Sequence, residues 1–311
     1  MKKTAGIHHI TAIVGNPQQN VDFYASILGL RLVKKTVNFD DPGTYHLYFG
    51  DEDGSPGTAI TFFPWDEGHR GKVGDGQVGL TSFVIPKGAM AFWESRLAQF
   101  KVVFSKAVRF GEQSLQFHDP DGIALELVER EEGKTSTWQF AGVTADTAIK
   151  GFGGAVLRSI QPQQTTRLLE KVMGFARIGE EDGYIRFQSE ADLGNVIDVV
   201  KTPSERGRMG VGTVHHIAFR VEDDSDQLEW KQYLEANGLG VTPVQDRNYF
   251  YSIYFREFGG ILFEMATDVP GFAIDEPKEK LGENLMLPPQ YEELRPQLEK
   301  ILLPITVRTR D

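Results

Sequence analysis

The chain of 311 residues contains no cysteine. Disulfides and thiolate metal sites are therefore excluded, and the seven histidines are the only nitrogen ligands available to a metal. A basic run is also missing. Lys and Arg number 33 against 44 Asp and Glu, a net charge of −11, so nucleic acid and anionic membrane surfaces are poor partners. No apolar run is long enough to span a bilayer. The N-terminal MKKTAGIHHI carries two lysines but not the apolar stretch of a signal peptide. A soluble, cytoplasmic protein is the expectation. Its apolar fraction of 40% is ordinary for a packed core, and its length suits two domains or one large one.

What is present is a repeat. From residue 6 a strand-like run, IHHITAIVG, precedes a predicted helix, NPQQNVDFYASILG. Asn16 reads as its N-cap, Pro17 as its first helical residue and Gly29 as its end. Three β-rich runs follow: LRLVKKTVNF, TYHLYFGD and GTAITFFPW. This β-α-β-β-β order recurs at 78–129, 153–200 and 213–266, after a first copy at 6–64. Linkers with Pro or Gly fall near 65–77, 131–151 and 201–212. The tail after 270 holds one predicted helix, YEELRPQLEKILL, and no recognisable functional pattern. Copies of this size cannot close a sheet alone. The expected fold is α+β: four βαβββ modules paired into two curved mixed-sheet half-barrels, with helices outside.

The copies differ where chemistry is concerned. Each last strand follows a glycine at one spacing, and the fifth position is Thr61, Glu126, Asp198 and Glu264 in turn. The first strands carry HHI only in copies one (GIHHIT, 6–11) and four (VHHIAF, 214–219). If these two copies face one cavity, they offer one His each plus Glu264. Two imidazoles and one carboxylate hold an ion on one face and leave other positions open, a set associated with non-haem Fe(II) oxygenases. Thr61 is a poor fourth ligand, which favours the open site.

Strand alternation selects within each pair. His8 shares a face with Ile10, Ala12 and Val14, and His215 with Ile217, Phe219 and Val221. These apolar registers should pack under the helices. His9 shares with Thr11, and His216 with Ala218 and Arg220, so His9 and His216 are the expected ligands. His8 and His215 become supporting groups or core histidines. Glu126 and Asp198 lack any nearby His and are expected to be hydrogen-bonded remnants or exposed carboxylates. His46, His69 and His118 read as structural, turn or exposed residues.

The fourfold plan, with its first-strand His and last-strand Glu, resembles the vicinal oxygen chelate superfamily. That superfamily includes glyoxalase I, extradiol dioxygenases, fosfomycin-resistance proteins and epimerases. The stretches GIHHIT, VDFYASILGLRLVKKTVNFDDPGTYHLYFGD, VHHIAF, DRNYFYSIYF and GGILFEMATD look more specifically like bacterial hydroquinone-type ring-cleaving dioxygenases, including the methylhydroquinone-resistance type. The resemblance implies two such domains, at 1–135 and 152–270, followed by a tail at 271–311 with a terminal helix.

It also implies an Fe(II)-dependent extradiol-type dioxygenase that opens a hydroquinone or catechol with O2. The ligands are His9, His216 and Glu264, and Mn(II) suits the same set. Arg247 and Tyr254 would stand near the substrate. His8 or His215 would carry a proton. Phe62, Tyr249 and Phe250 are candidates for an aromatic pocket wall. A small aromatic ring and O2 are the expected partners. The tail helix leaves open a homo-oligomer. The rival readings are a glyoxalase-type metal-dependent lyase or isomerase, and a non-enzymatic aromatic-binding protein.

Overall fold

Alternating apolar residues and glycine punctuation give the first module its strands β1 (Ile7–Val14), β2 (Arg31–Val37), β3 (Tyr45–Gly50) and β4 (Ala59–Pro64). These come from a computed structural model that describes residues 2–310. Between β1 and β2 lies helix α1 (Pro17–Val21), which widens into a π-helical turn over Asp22–Ile27. The Asn16 side chain accepts from the Gln18 and Gln19 amides, and Pro17 loses no bond at the first helical position. Gly29 ends the turn at φ +71°, where an added Cβ would meet the Val143 side chain at 2.6 Å.

The second module comprises β5 (Gln77–Ile85), α2 (Met90–Gln99), β6 (Phe104–Arg109), β7 (Glu112–His118) and β8 (Ala124–Glu129). The third comprises β9 (Gly151–Arg158), α3 (Pro162–Lys171), β10 (Ala176–Glu181), β11 (Tyr184–Gln188) and β12 (Val196–Val200). The fourth comprises β13 (Thr213–Val221), α4 (Asp224–Ala236), β14 (Gln245–Asp246), β15 (Phe250–Arg256) and β16 (Leu262–Pro270).

Two curled mixed sheets of eight strands result, an α+β pair of half-barrels. Their strand orders are β14-β15-β16-β13-β1-β4-β3-β2 and β10-β11-β12-β9-β5-β8-β7-β6. Within a module the first and last strands are parallel, as β1 with β4 and β13 with β16, so the connection between them includes a helix. Modules join through their first strands, antiparallel, as β1 with β13 and β5 with β9. One sheet thus takes the first and fourth modules and the other the second and third. Each sheet draws strands from both 1–135 and 152–270. The linkers at 65–77 and 201–212 run side by side and bridge at Arg70–Val211, Lys72–Arg208 and Asp75–Arg206.

The apolar core includes Trp93 of α2 and Trp230 of α4, both essentially without exposure. The tail packs back on the first sheet. Lys34, with no exposed side-chain surface, donates to Asp275 at 2.6 Å and Glu276 at 2.7 Å. Phe272 packs edge-on against Tyr48. The expected terminal helix is shorter than its pattern. Helix α5 spans Arg295–Ile301, because Pro296 fits only a first turn, and Pro289–Leu294 before it is a 3-10 turn. Among the described residues no helix is long and apolar enough to cross a membrane.

Candidate metal centre

The site begins at the seam between β1 and β13. Their register slips between Ile7 and His9, and again where Thr11 faces His216 and Ala12 faces Val214. His8 and His215 are therefore the extra residues of two β-bulges, one in each HH pair. A bulge breaks the strict alternation of faces.

The expectation that His8 and His215 pack under the helices is overturned for this reason. His215 lines a cavity, its ring 5.7 Å from Phe63. His8 stays buried beside His9, with its ring 5.2 Å from Phe250. The Nδ1 atoms of His8 and His9 lie 2.9 Å apart, and those of His215 and His216 lie 2.8 Å apart. Each bulged histidine thus holds the ring of its neighbour through Nδ1 and leaves that neighbour's Nε2 free.

Those Nε2 atoms converge. His9 Nε2 lies 3.2 Å from His216 Nε2, and the two lie 3.3 and 2.9 Å from Glu264 Oε2. All three side chains are buried. Glu264 comes from β16, where it pairs with Ala218 of β13. Its Oε1 accepts from the Ser252 hydroxyl. Its Oε2, although close to both imidazoles, has no hydrogen bond of acceptable geometry. An orphaned buried carboxylate oxygen facing two imidazole nitrogens calls for a cation. Ligands about 2.1 Å from a shared ion at right angles stand about 3 Å apart, which these three atoms match. The residues present therefore fit a divalent ion.

Burial would raise the Glu264 carboxyl, but the His9 and His216 imidazoles outweigh it and hold the group well below the usual carboxylate range. Burial lowers His216, against the pull of Glu264. Burial and the His216 ring push His215 down to about 3, and burial with the His9 ring puts His8 well below its ordinary value. Neutral imidazole is the form that ligates a metal or accepts a proton.

The centre opens on one side into a cavity of about 470 Å³, a size suited to a small ligand. His46, Phe63, Trp65, Phe250 and Tyr254 line it together with His9, His215 and His216. Tyr254 of β15 pairs across the ladder with Glu264, and its ring lies 5.8 Å from that of His216. Arg247 donates from Nε to the Tyr254 hydroxyl at 3.2 Å. Burial and the Glu264 charge raise the Tyr254 phenol, which keeps its proton.

Phe250 lines the cavity as expected, whereas two other aromatic candidates do not. Phe62 points into the core against Tyr24 and Phe49, because its neighbours Thr61 and Phe63 occupy the cavity face of β4. Tyr249 is buried behind the wall and donates to Asp275 at 2.9 Å.

His46 is the residue that sequence reasoning missed. Its Nε2 lies 2.9 Å from Thr61 Oγ1 and its Nδ1 2.8 Å from the Tyr48 hydroxyl, and its ring packs on Phe63. The alternation of YHLYF, which puts His46 and Tyr48 on one face, was the available signal. Thr61 also bonds Thr11 Oγ1 at 2.7 Å, so its hydroxyl is already committed and adds no fourth ligand. His69 and His118 are exposed and join no site.

The model of the Glyoxalase/Bleomycin resistance protein/Dioxygenase superfamily matches residues 6–127 and 151–265. The chain belongs to this superfamily. Curated relatives that match nearly the whole length are named as dioxygenases. MhqO of Bacillus subtilis (strain 168), named as a ring-cleaving dioxygenase, is 64% identical over 100% of this chain and 99% of its own. A chlorohydroquinone/hydroquinone 1,2-dioxygenase of Sphingobium indicum is 35% identical over 96% of this chain and 95% of its own. A crystal structure described as that of a B. subtilis dioxygenase superposes with a TM-score of 0.99 at 64% identity, covering 100% of both chains. Maize glyoxalase I, at 15% identity, shares the fold alone, with a TM-score of 0.62 over 85% of this chain and 92% of its own. These relatives put the chain in the ring-cleaving dioxygenase branch of the superfamily.

Proposed function

We propose that this chain is an Fe(II)-dependent extradiol-type dioxygenase that opens the ring of a hydroquinone or catechol with O2. The observation that carries the reading is a buried set of two imidazole nitrogens and one carboxylate oxygen, open on one side to an aromatic-lined cavity. His9, His216 and Glu264 would hold the ion; Mn(II) suits the same donors. When bound, the metal supplies positive charge that acidifies a phenolic hydroxyl and open positions for substrate and O2.

The chain's own residues do the rest. Phe63, Trp65 and Phe250 give a planar ring flat, dry walls. Tyr254, protonated and adjacent to the ligand set, would donate a hydrogen bond to a substrate oxygen in the cavity. Arg247 fixes the Tyr254 hydroxyl. His215, neutral and on the cavity wall, accepts from the His216 Nδ1–H and so carries its own proton on Nε2, where it would donate to a substrate oxygen. His8 orients His9 from behind. The commitment of Thr61 to Thr11 and His46 supports a three-donor open site over a four-ligand glyoxalase-type lyase.

The test is O2 consumption by anaerobically Fe(II)-loaded protein given methylhydroquinone or catechol, with Glu264→Ala alongside. One O2 per ring and a new ring-opened chromophore, both lost in the variant, are expected. No uptake by protein that holds one iron would overturn the reading in favour of a lyase or a binding protein.

A further inference from the structure

The mouth of the cavity is bridged by a charge pair whose carboxylate, Asp40, the chemistry above does not use. Arg247 is the one cationic side chain lining the cavity among the described residues. Its Nη1 and Nη2 donate to Asp40 Oδ1 and Oδ2 at 3.4 and 3.1 Å, a forked pairing. Asp40 lies on the loop between β2 and β3, and Arg247 on the turn between β14 and β15. The pair therefore joins the first module to the fourth across the opening.

Both loops are fixed from within. The Asp40 amide donates to Asn38 Oδ1 at 3.0 Å, and the Asn38 amide donates to the Thr44 carbonyl at 2.8 Å. The Arg247 amide donates to the Phe250 carbonyl at 3.0 Å, and its carbonyl accepts from the Tyr249 amide at 2.8 Å. The guanidinium is mostly enclosed, its side chain 17% exposed, while the Asp40 side chain is 73% exposed.

This arrangement has a consequence for the ligand. Away from the metal ligands, an anionic substituent on the ring would find one cationic side chain, and a carboxylate already sits on it. Asp41 at the mouth adds a further negative charge. The other polar groups of the wall, Asn38, Thr242 and Gln245, are neutral and suit hydroxyls. We propose that Asp40 is a specificity-determining residue: by pairing with Arg247 it withholds the cavity's cationic side chain from anionic substituents, so the site takes uncharged hydroquinones and rejects their carboxylated analogues. This rests on the ring-binding reading given above.

The test is calorimetric binding to Fe(II)-loaded protein without O2, so that no turnover occurs. The probes are methylhydroquinone and 2,5-dihydroxybenzoate, on the natural chain, Asp40→Asn and Asp41→Asn. Asparagine keeps the size of each side chain. Asp41 is a control for charge alone, because its carboxylate accepts from Thr44 and not from Arg247. The natural chain should favour methylhydroquinone. Asp40→Asn should shift the affinity ratio toward the carboxylated ring roughly tenfold, the worth of one charged hydrogen bond. Asp41→Asn should shift it by roughly threefold or less, as for an exposed, screened charge. An unmoved ratio in Asp40→Asn, or an equal shift in both variants, overturns the proposal while methylhydroquinone binding leaves the ring-binding reading standing. If the natural chain binds neither ring, the ring-binding reading itself fails.

Discussion

The two sheets place carboxylates at the same point of the same repeat and stabilise them differently. In the first sheet Glu264 pairs with Ala218, two residues after His216, and meets two imidazoles and an open cavity. In the second sheet Glu126 pairs with Ser82, two residues after Leu80, and Asp198 pairs with Val156, two residues after Gly154. Leucine and glycine thus stand where the first sheet has histidine. Here guanidinium groups take over. Arg109 donates to Asp198 at 2.7 Å and also to Glu126, and Arg186 holds Asp198 with two bonds of 2.8 Å. A buried carboxylate needs a partner. The repeat supplies imidazoles and room for an ion in one sheet, and a closed ion-pair cluster in the other.

Asp119 is a third case, with no cation at all. Its carboxylate accepts from the Asp121 and Ile123 amides at 2.9 Å each and from the Tyr24 hydroxyl at 3.1 Å. Burial outweighs these bonds and pushes its pKa up to about 7.

Removing the carboxylate of the first sheet should have the greatest consequence. Glu264→Ala should lose stoichiometric iron and all ring cleavage, measured by metal analysis and O2 uptake. The protein should still fold, since the substitution removes a group with an orphaned oxygen. The corresponding break in the second sheet should do the reverse. Arg186→Ala leaves Asp198 with Arg109 alone and should cost about 1–3 kcal/mol in urea unfolding. It should leave the iron content at one per chain and create no second site, because Leu80 and Gly154 offer no ligand atom.

Asp119 gives the comparison a pH dependence. Its carboxyl is raised in the folded state, so the fold binds more protons than the unfolded chain between about pH 4 and about pH 7. Its contribution to stability is present below about pH 4 and is lost as pH rises to about 7, each tenfold difference in proton affinity being worth about 1.4 kcal/mol. Asp119→Asn keeps the acceptor for both amides and removes the charge. The fall in Tm from pH 5 to pH 8 should be smaller in the variant than in the natural chain, and an equal fall would contradict the assignment.

A smaller effect is expected at His46. Both of its nitrogens are tied to protein, so its contribution to the cavity is a flat face. His46→Ala removes that face and should raise KM for methylhydroquinone several-fold while leaving iron binding intact. Loss of metal would contradict this.

Much of this arrangement is legible in the sequence, for physical reasons. Strand alternation and the recurring glycine reveal four modules, and their shared register brings His9, His216 and Glu264 to one place. Alternation fails where the backbone does. The bulges at His8 and His215 insert a residue without leaving a mark in the polarity pattern, so a strict period of two sends both rings to the wrong side. Phe62 faces the core because Thr61 and Phe63 define the cavity face of β4. The Arg109–Glu126–Asp198 cluster and the Asp40–Arg247 bridge join residues from different modules, and composition gives no distance between them. The tail looks featureless in sequence, yet Lys34 buries its charge against Asp275 and Glu276.

On this reading an ion completes the first sheet and arginine completes the second. Anomalous diffraction at the iron edge, from crystals of Fe(II)-reconstituted protein, decides whether that is so. One peak per chain is expected, within bonding distance of His9 Nε2, His216 Nε2 and the Glu264 carboxylate. No peak there, or a peak beside Glu126 and Asp198, would contradict it.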